Sequence, residues 1–387
     1  YLIQQTSDGG YIVCGSTSSF GNGGLDVYLI KTDGNGIEEW SQNYGGTVTD
    51  GGWSIQQTQD GGYIICGETL SFGNGNSDVY LIKTDGLGQE QWYQTFGGSD
   101  LDKGISVQQT QDGGYIICGD TESFGNGYRD VYLVKTDEYG VEEWYQTFGG
   151  TGNDVGRSVE QTDDGGYIIT GMTSSFGNGE SDVYLIKTDG NGIEEWSQNL
   201  GGTVTDGGYS VQQTIDGGYI VCGYTYSYGN GNENPDVYLL KTDLDGVEEW
   251  YQTFGGIDYD DGRSVEQTSD GGYVITGYTT SFGNGNSDVY LIKTDLNGIE
   301  ECSNTFGGIG NDTGHSVQQT IDGGYIVCGS TSSFGNGNSD FYLIKTDSEC
   351  NITPHISTIE LPTPTSKREL IKTTNILGQE NTTIKNQ

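Results

Sequence analysis

Residues that usually carry chemistry are scarce in this chain. Its 387 residues hold two histidines, one methionine and four prolines, with only 15 lysines and arginines against 55 aspartates and glutamates. A formal charge of −40 repels a nucleic-acid backbone or an anionic membrane surface, so neither is expected as a partner. No run of about 18 apolar residues is present, so no membrane-spanning helix is expected. The histidines, His315 and His355, form no zinc-ligand spacing, and neither a phosphate loop nor a nucleophile elbow occurs. Catalysis and a cofactor are therefore not expected. The first residue, Tyr1, already lies inside a repeat with no signal peptide ahead of it, and the chain reads as a fragment.

What the chain has in excess is glycine (68) and tyrosine (27), a mixture suited to short strands and tight turns rather than helices. Asp-Gly-Gly-Tyr occurs seven times, beginning at Asp8, Asp60, Asp112, Asp164, Asp216, Asp270 and Asp322, at intervals of 52 residues except for one of 54. In the second unit, Ser54–Thr58 reads as strand A, Asp60-Gly-Gly as a turn, Tyr63–Thr69 as strand B, Ser71–Ser77 as a loop, Asp78–Asp85 as strand C and Glu90–Phe96 as strand D. Strands B and C are apolar at nearly every position, which requires burial on both faces. Seven such units predict an all-β fold: a seven-bladed β-propeller of four-stranded antiparallel blades over residues 1–347, followed by a short, truncated C-terminal tail. A linker over 348–365 and a segment over 366–387 make up that tail. Strand D is clear only six times. The seventh blade is expected to take its outer strand from sequence upstream of Tyr1, or to be patched irregularly by residues 348–361.

Cys14, Cys66, Cys118, Cys222 and Cys328 share one slot in strand B, filled by Thr170 and Thr276 in the other units. A slot that accepts threonine is a small core position and not half of a disulfide. Cys302 and Cys350 fall outside this slot and are expected to stay unpaired. The aspartates of each unit suggest calcium, but the middle ligand of Asp33-Gly-Asn35 becomes Leu87 or Tyr139 elsewhere. Turn-capping is the better reading, and no metal is expected. The lysine of each Lys-Thr-Asp is expected to neutralise a neighbouring carboxylate.

The recurring Asp-Gly-Gly-Tyr-Ile, Asp-Val-Tyr-Leu-Ile-Lys-Thr-Asp and Glu-Glu-Trp-Tyr-Gln-Thr-Phe-Gly-Gly are similar to the β-propeller repeats of secreted bacterial and archaeal surface proteins. Separately, Ser366–Glu380 resembles the opening of the C-terminal sorting domain of type IX secretion cargo in Bacteroidota. That domain normally continues through further strands, whereas this sequence stops at Gln387. The resemblance implies type IX secretion machinery as a partner of the tail, and an extracellular or outer-cell-surface location.

Differences between units carry more functional information than identities. The A–B and C–D turns are tight while the B–C and D–A loops are long, and both long loops fall on one face. Blade 5 departs most there. Its B–C loop holds a two-residue insertion, Asn232-Glu233-Asn234 before Pro235, and around it lie Tyr209, Tyr224, Tyr226, Tyr228, Tyr259 and Tyr278. Tyr128 and Arg129 stand out in the same loop of blade 3. Tyrosines among polar residues suit stacking on sugars or packing on a protein. The expected function is a non-enzymatic, monomeric binding or adhesion module for a polysaccharide or protein. The alternatives are an accessory or catalytic propeller of a polysaccharide-degrading enzyme, or a structural spacer of an adhesin.

Overall fold

Apolar residues on both faces of a sheet demand a neighbour on each side, and seven sheets meet that demand by standing in a ring. The computed structural model describes residues 2–230 and 234–352. Six sheets have four antiparallel strands in chain order and the seventh has three. Strand A of each blade packs against strand A of the next, and the ring closes between blade 7 (Asp312–Gln319) and blade 1 (Leu2–Gln5). The fold is the seven-bladed propeller that the repeats predict.

Each core lies between two blades. Ile12, Cys14, Val27 and Leu29 of blade 1 pack against Ile55, Tyr63, Ile65 and Tyr80 of blade 2, while Val13 and Ile30 face blade 7 through Ile326 and Cys328. The five slot cysteines are buried free thiols, and burial pushes the Cys14 thiol up to about 12. Cys66 sits so close that a Cβ on Gly104 of the next blade would lie 2.2 Å from its sulfur. The glycine of Asp-x-Gly is thus fixed by its neighbour.

Asp-Gly-Gly-Tyr builds the A–B turn. Gly61 has φ +82°, a conformation that costs a side chain. Asp60 accepts hydrogen bonds from the Gly62 amide at 3.0 Å and from the Thr58 hydroxyl at 2.5 Å. Every Lys-Thr-Asp lysine pairs with this aspartate in its own blade, at 2.6–3.1 Å. The Thr6 hydrogen bond, opposed by partial burial and aided by Lys31, holds the Asp8 carboxyl at about 2. The other recurrent aspartates also cap turns: Asp33 accepts from the Asn35 and Ile37 amides and Asp78 from the Asn74 amide.

A ring of side-chain bonds crosses the inner strands. The amides of Gln57, Gln109, Gln161 and Gln267 donate to the side chains of Gln4, Gln56, Gln108 and Gln212 in the preceding blade. Gln5 donates to Gln318 across the closure. Glutamates stand in for glutamine twice, Glu160 accepting from Gln213 and Glu266 from Gln319. All seven bonds measure 2.5–2.8 Å.

Two expectations need correction. Strand A of blade 2 runs Asp50–Gln57, four residues earlier than Ser54, because Gly51 and Gly52 pair with strand B beyond a bulge at Trp53. Cys302 and Cys350 are disulfide-bonded, with Cα atoms 6.1 Å apart. The reason lies in the repeat. At each earlier junction the strand-D tryptophan packs on the glycine of the next C–D turn, so that a Cβ on Gly88 would lie 2.5 Å from the Trp40 ring. Cys302 holds the tryptophan slot and Cys350 the glycine slot, keeping the glycine's left-handed φ of 60°.

After blade 7's strand C (Asp340–Thr346) the chain makes the same turn as the other blades, capped by Asp347, and Ile352 pairs antiparallel with Thr346. The rest of the 348–361 patch, the remaining linker and the 366–387 segment lie outside the described residues.

Two stability measurements follow from this frame. Replacing Cys302 and Cys350 by serine is expected to lower unfolding free energy by about 2–4 kcal/mol, read by urea denaturation, and an unchanged midpoint would show that the junction does not need the bond. Burial pushes the carboxyls of Glu160 and Glu266 up to about 7, from a reference of 4.5. Between these values the folded state keeps protons that the unfolded state releases, so stability falls as pH rises through that window. Glu160→Gln with Glu266→Gln is expected to stabilise the protein at pH 8 by about 1–3 kcal/mol, allowing for partial solvent contact, and by little at pH 4. Equal effects at both pH values would refute the assignment.

Candidate binding site at the long-loop mouth

Strand A carries one bulge per blade in blades 2–7, and the bulged residue varies from unit to unit. It is Trp53, Ile105, Arg157, Tyr209, Arg263 and His315 in turn. A bulge turns a side chain out of the regular alternation and re-aims it. The residue two places earlier and its strand-B partner vary as well: Lys103 faces Asp120, Gly207 faces Tyr224 and Asp261 faces Tyr278. Conserved scaffold and variable side chains therefore separate cleanly along one strand pair, at its long-loop end.

Blades 4 to 6 bring these positions together. The Arg263 guanidinium lies 4.3 Å from the centroid of the Tyr209 ring and 5.6 Å from that of Tyr278. Arg157, from blade 4, approaches the Tyr209 ring at 5.9 Å. Tyr209 packs on Tyr224 at 5.6 Å, Tyr224 meets Tyr226 edge-on at 6.1 Å, and Tyr259 stacks on Tyr278 at 5.7 Å. Arg263 Nη2 lies 2.9 Å from Oδ2 of the fully buried Asp261. Burial pushes the Asp261 carboxyl up to about 6 against the pull of Arg263. Burial also pushes the His315 imidazole well below its ordinary range, so the ring is neutral at pH 7, with the Ser330 hydroxyl 3.4 Å away.

Of the residues singled out in the sequence, Tyr209, Tyr224, Tyr226, Tyr259 and Tyr278 form this continuous cluster. Tyr228 stands apart from it. It stacks on Tyr251 at 4.7 Å, packs on Tyr238 and donates to the Gly201 carbonyl, as Phe72 packs on Tyr80 and Tyr93 in blade 2. Asn234 ties its loop to the next one by donating to the Ile257 carbonyl. Asn232 and Glu233 lie outside the described residues. Tyr128 is exposed in blade 3, and Arg129 there pairs with Glu122 at 2.9 Å and approaches Asp120 at 3.6 Å. Arg157, Asp261, Arg263 and His315 were missed as site residues. The signal for Arg157, Arg263 and His315 was the unshared position between Gly and Ser of strand A, and that for Asp261 the unshared position just before that Gly.

A second concavity of about 460 Å³ lies on the outer side of blade 6, lined by Phe254, Phe282, Tyr290 and Ser303 among others. Ser303 there occupies the slot held by Tyr93, Tyr145 and Tyr251 in blades 2, 3 and 5 and by serine in blades 1 and 4, and the lining includes no residue of the variable strand-A slots.

No protein-family profile matches the chain. It is similar to the regulatory protein FlaEY of Caulobacter vibrioides, at 25% identity over 224 residues; the match covers 49% of this chain and only 23% of FlaEY. Among solved structures it is similar to the WD40 domain of Pan2 from Neurospora crassa, with a TM-score of 0.53, 11% identity and 84% of each chain covered. Sqt1 from Chaetomium thermophilum gives a TM-score of 0.50 at 11% identity, over 91% of this chain and 82% of that one. These likenesses extend to the propeller fold.

The Asp261–Arg263 pair gives a direct test of the geometry. Arg263→Gln leaves a buried carboxylate unpaired and is expected to cost about 3 kcal/mol at pH 8. Because the Asp261 carboxyl titrates at about 6 with its partner present, the cost shrinks at pH 5, where it takes up a proton. Adding Asp261→Asn should restore most of the loss in chemical denaturation; no recovery would mean that the two do not act as a pair.

Proposed function

We propose that this chain is a non-enzymatic binding module, carried to the cell exterior, that takes a polysaccharide at the long-loop mouth of blades 4–6. The supporting observation is the concentration of five tyrosines and two arginines at positions where an otherwise repetitive scaffold stops repeating. Rings with a polar edge stack on the apolar face of a sugar while their hydroxyls and neighbouring donors meet its hydroxyl groups. Tyr226 and Tyr259 are partly exposed, while Tyr224 is buried.

Three features favour an exterior location. The Cys302–Cys350 disulfide suits an oxidising compartment, the strongly acidic composition keeps a large surface solvated, and the tail resembles a type IX sorting segment. That segment would engage the secretion machinery.

A glycan array followed by calorimetry tests the binding reading. The chain is expected to retain at least one polysaccharide class, and Tyr226→Ala to weaken that binding at least tenfold with an unchanged melting temperature. Retention of no glycan at all would sink the proposal, and turnover of a bound polysaccharide would replace it with a catalytic one.

A further inference from the structure

Eleven of the 15 basic residues lie in the propeller. Seven are the Lys-Thr-Asp lysines, each locked to the aspartate of its own A–B turn. The remaining four are Lys103, Arg129, Arg157 and Arg263. All four belong to strand A or a B–C loop of blades 3, 4 and 6, at the long-loop end. Three have carboxylate partners supplied by variable positions. Lys103 pairs with Glu68 at 2.9 Å, Arg129 with Glu122 and Asp120, and Arg263 with Asp261.

Arg157 is different. It has no ion pair among the described residues, and its Nε is buried without a hydrogen-bond partner. Its guanidinium instead approaches the ring of Tyr209 from blade 4 while Arg263 lies over the same ring from blade 6. In a chain with 55 acidic residues, Arg157 forms no ion pair, and the carboxylate whose charge it feels, Asp120, is paired with Arg129 instead; the terminal nitrogens of its fork are therefore left for something else. Long-range repulsion from the acidic surface does not forbid an anion here. At physiological salt, charges beyond about 8 Å are largely screened, and the nearest fixed charges are the guanidiniums and their matched carboxylates.

We propose that the ligand of this mouth is an acidic polysaccharide whose uronate carboxylate is held by Arg157; this rests on the glycan-binding reading above. A hexuronate carries its carboxylate at the edge of the pyranose ring. A sugar whose face lies on the tyrosines therefore presents that group sideways, to a guanidinium beside the same aromatic floor. A planar fork matches a carboxylate with two parallel hydrogen bonds. Tyr209, flanked by both arginines, serves as their support, and Tyr226 and Tyr259 supply the stacking surface. Asp261 holds Arg263 in place and gives the site a carboxylate that excludes a second anion from the blade 6 side.

The test measures calorimetric affinity for polygalacturonate, polyglucuronate and alginate oligosaccharides, each against its carboxyl-reduced counterpart. At least one acidic oligosaccharide is expected to bind tenfold or more tighter than its reduced form, with an affinity that weakens as salt is raised. Arg157→Gln should bring that ratio close to one, and Arg157→Lys should keep part of the preference. Equal affinities for acidic and reduced sugars would overturn the uronate assignment and leave glycan binding standing. Binding of none of these sugars, acidic or neutral, would count against both. Binding of a polyglutamate peptide as tightly as the uronate would also overturn the assignment, since the carboxylate would then be read without the sugar.

Discussion

The fold depends on a constraint of closure: a sheet apolar on both faces has no stable existence alone, and a stack of such sheets always has two ends. Only a ring removes the ends. Here the outer strands begin exposed, as at Glu90 and Gln91, and contribute to the cores between blades chiefly through a buried aromatic such as Tyr44 or Phe96. The burden falls on strands B and C, whose side chains are shared between adjacent cores, and on the amide ring of strand A. The seam between blades 7 and 1 carries a glutamine-to-amide bond like those at four of the other six junctions, glutamate taking that place at the remaining two.

That economy explains which residues repeat. The aspartates, glycines and lysines of each unit serve turns, close approaches and charge neutralisation. Gly104 is held by a neighbour's sulfur and Gly61 by its own backbone angle. Lys83 is held by Asp60. A site on such a scaffold has to be written at positions the architecture does not use. The bulge provides one in each of blades 2–7, because its extra residue pairs with nothing in strand B.

Much of this was legible in the sequence because repetition averages out local ambiguity. The 52-residue interval, the doubly apolar strands and the core role of Cys14 and its equivalents all follow from seven aligned copies. Single events were harder to read. The Cys302–Cys350 bond occupies the tryptophan and glycine slots of one junction, so its partners are 48 residues apart, as are Trp40 and Gly88. Recognising it required knowing that those two slots touch across blades, which is tertiary information. The site showed the same limit. Blade 5's tyrosines were visible as departures, but Arg157 and Arg263 belong to the strands on either side, and their convergence on Tyr209 comes from the curvature of the ring. Tyr228 looked equally unusual, yet it fills the place of an ordinary core phenylalanine.

The position of the disulfide has a mechanical meaning. Cys350 is two residues before Ile352, the last described residue, which pairs with Thr346 of blade 7. Tension applied through the tail reaches the sulfur bridge before it reaches the hydrogen bonds between blade 7's strands. The load then passes to strand D of blade 6 and is shared by two sheets, instead of unzipping the three-stranded one from its edge. A domain tethered by its C-terminus in flowing medium would have its attachment point reinforced where the propeller is otherwise easiest to peel.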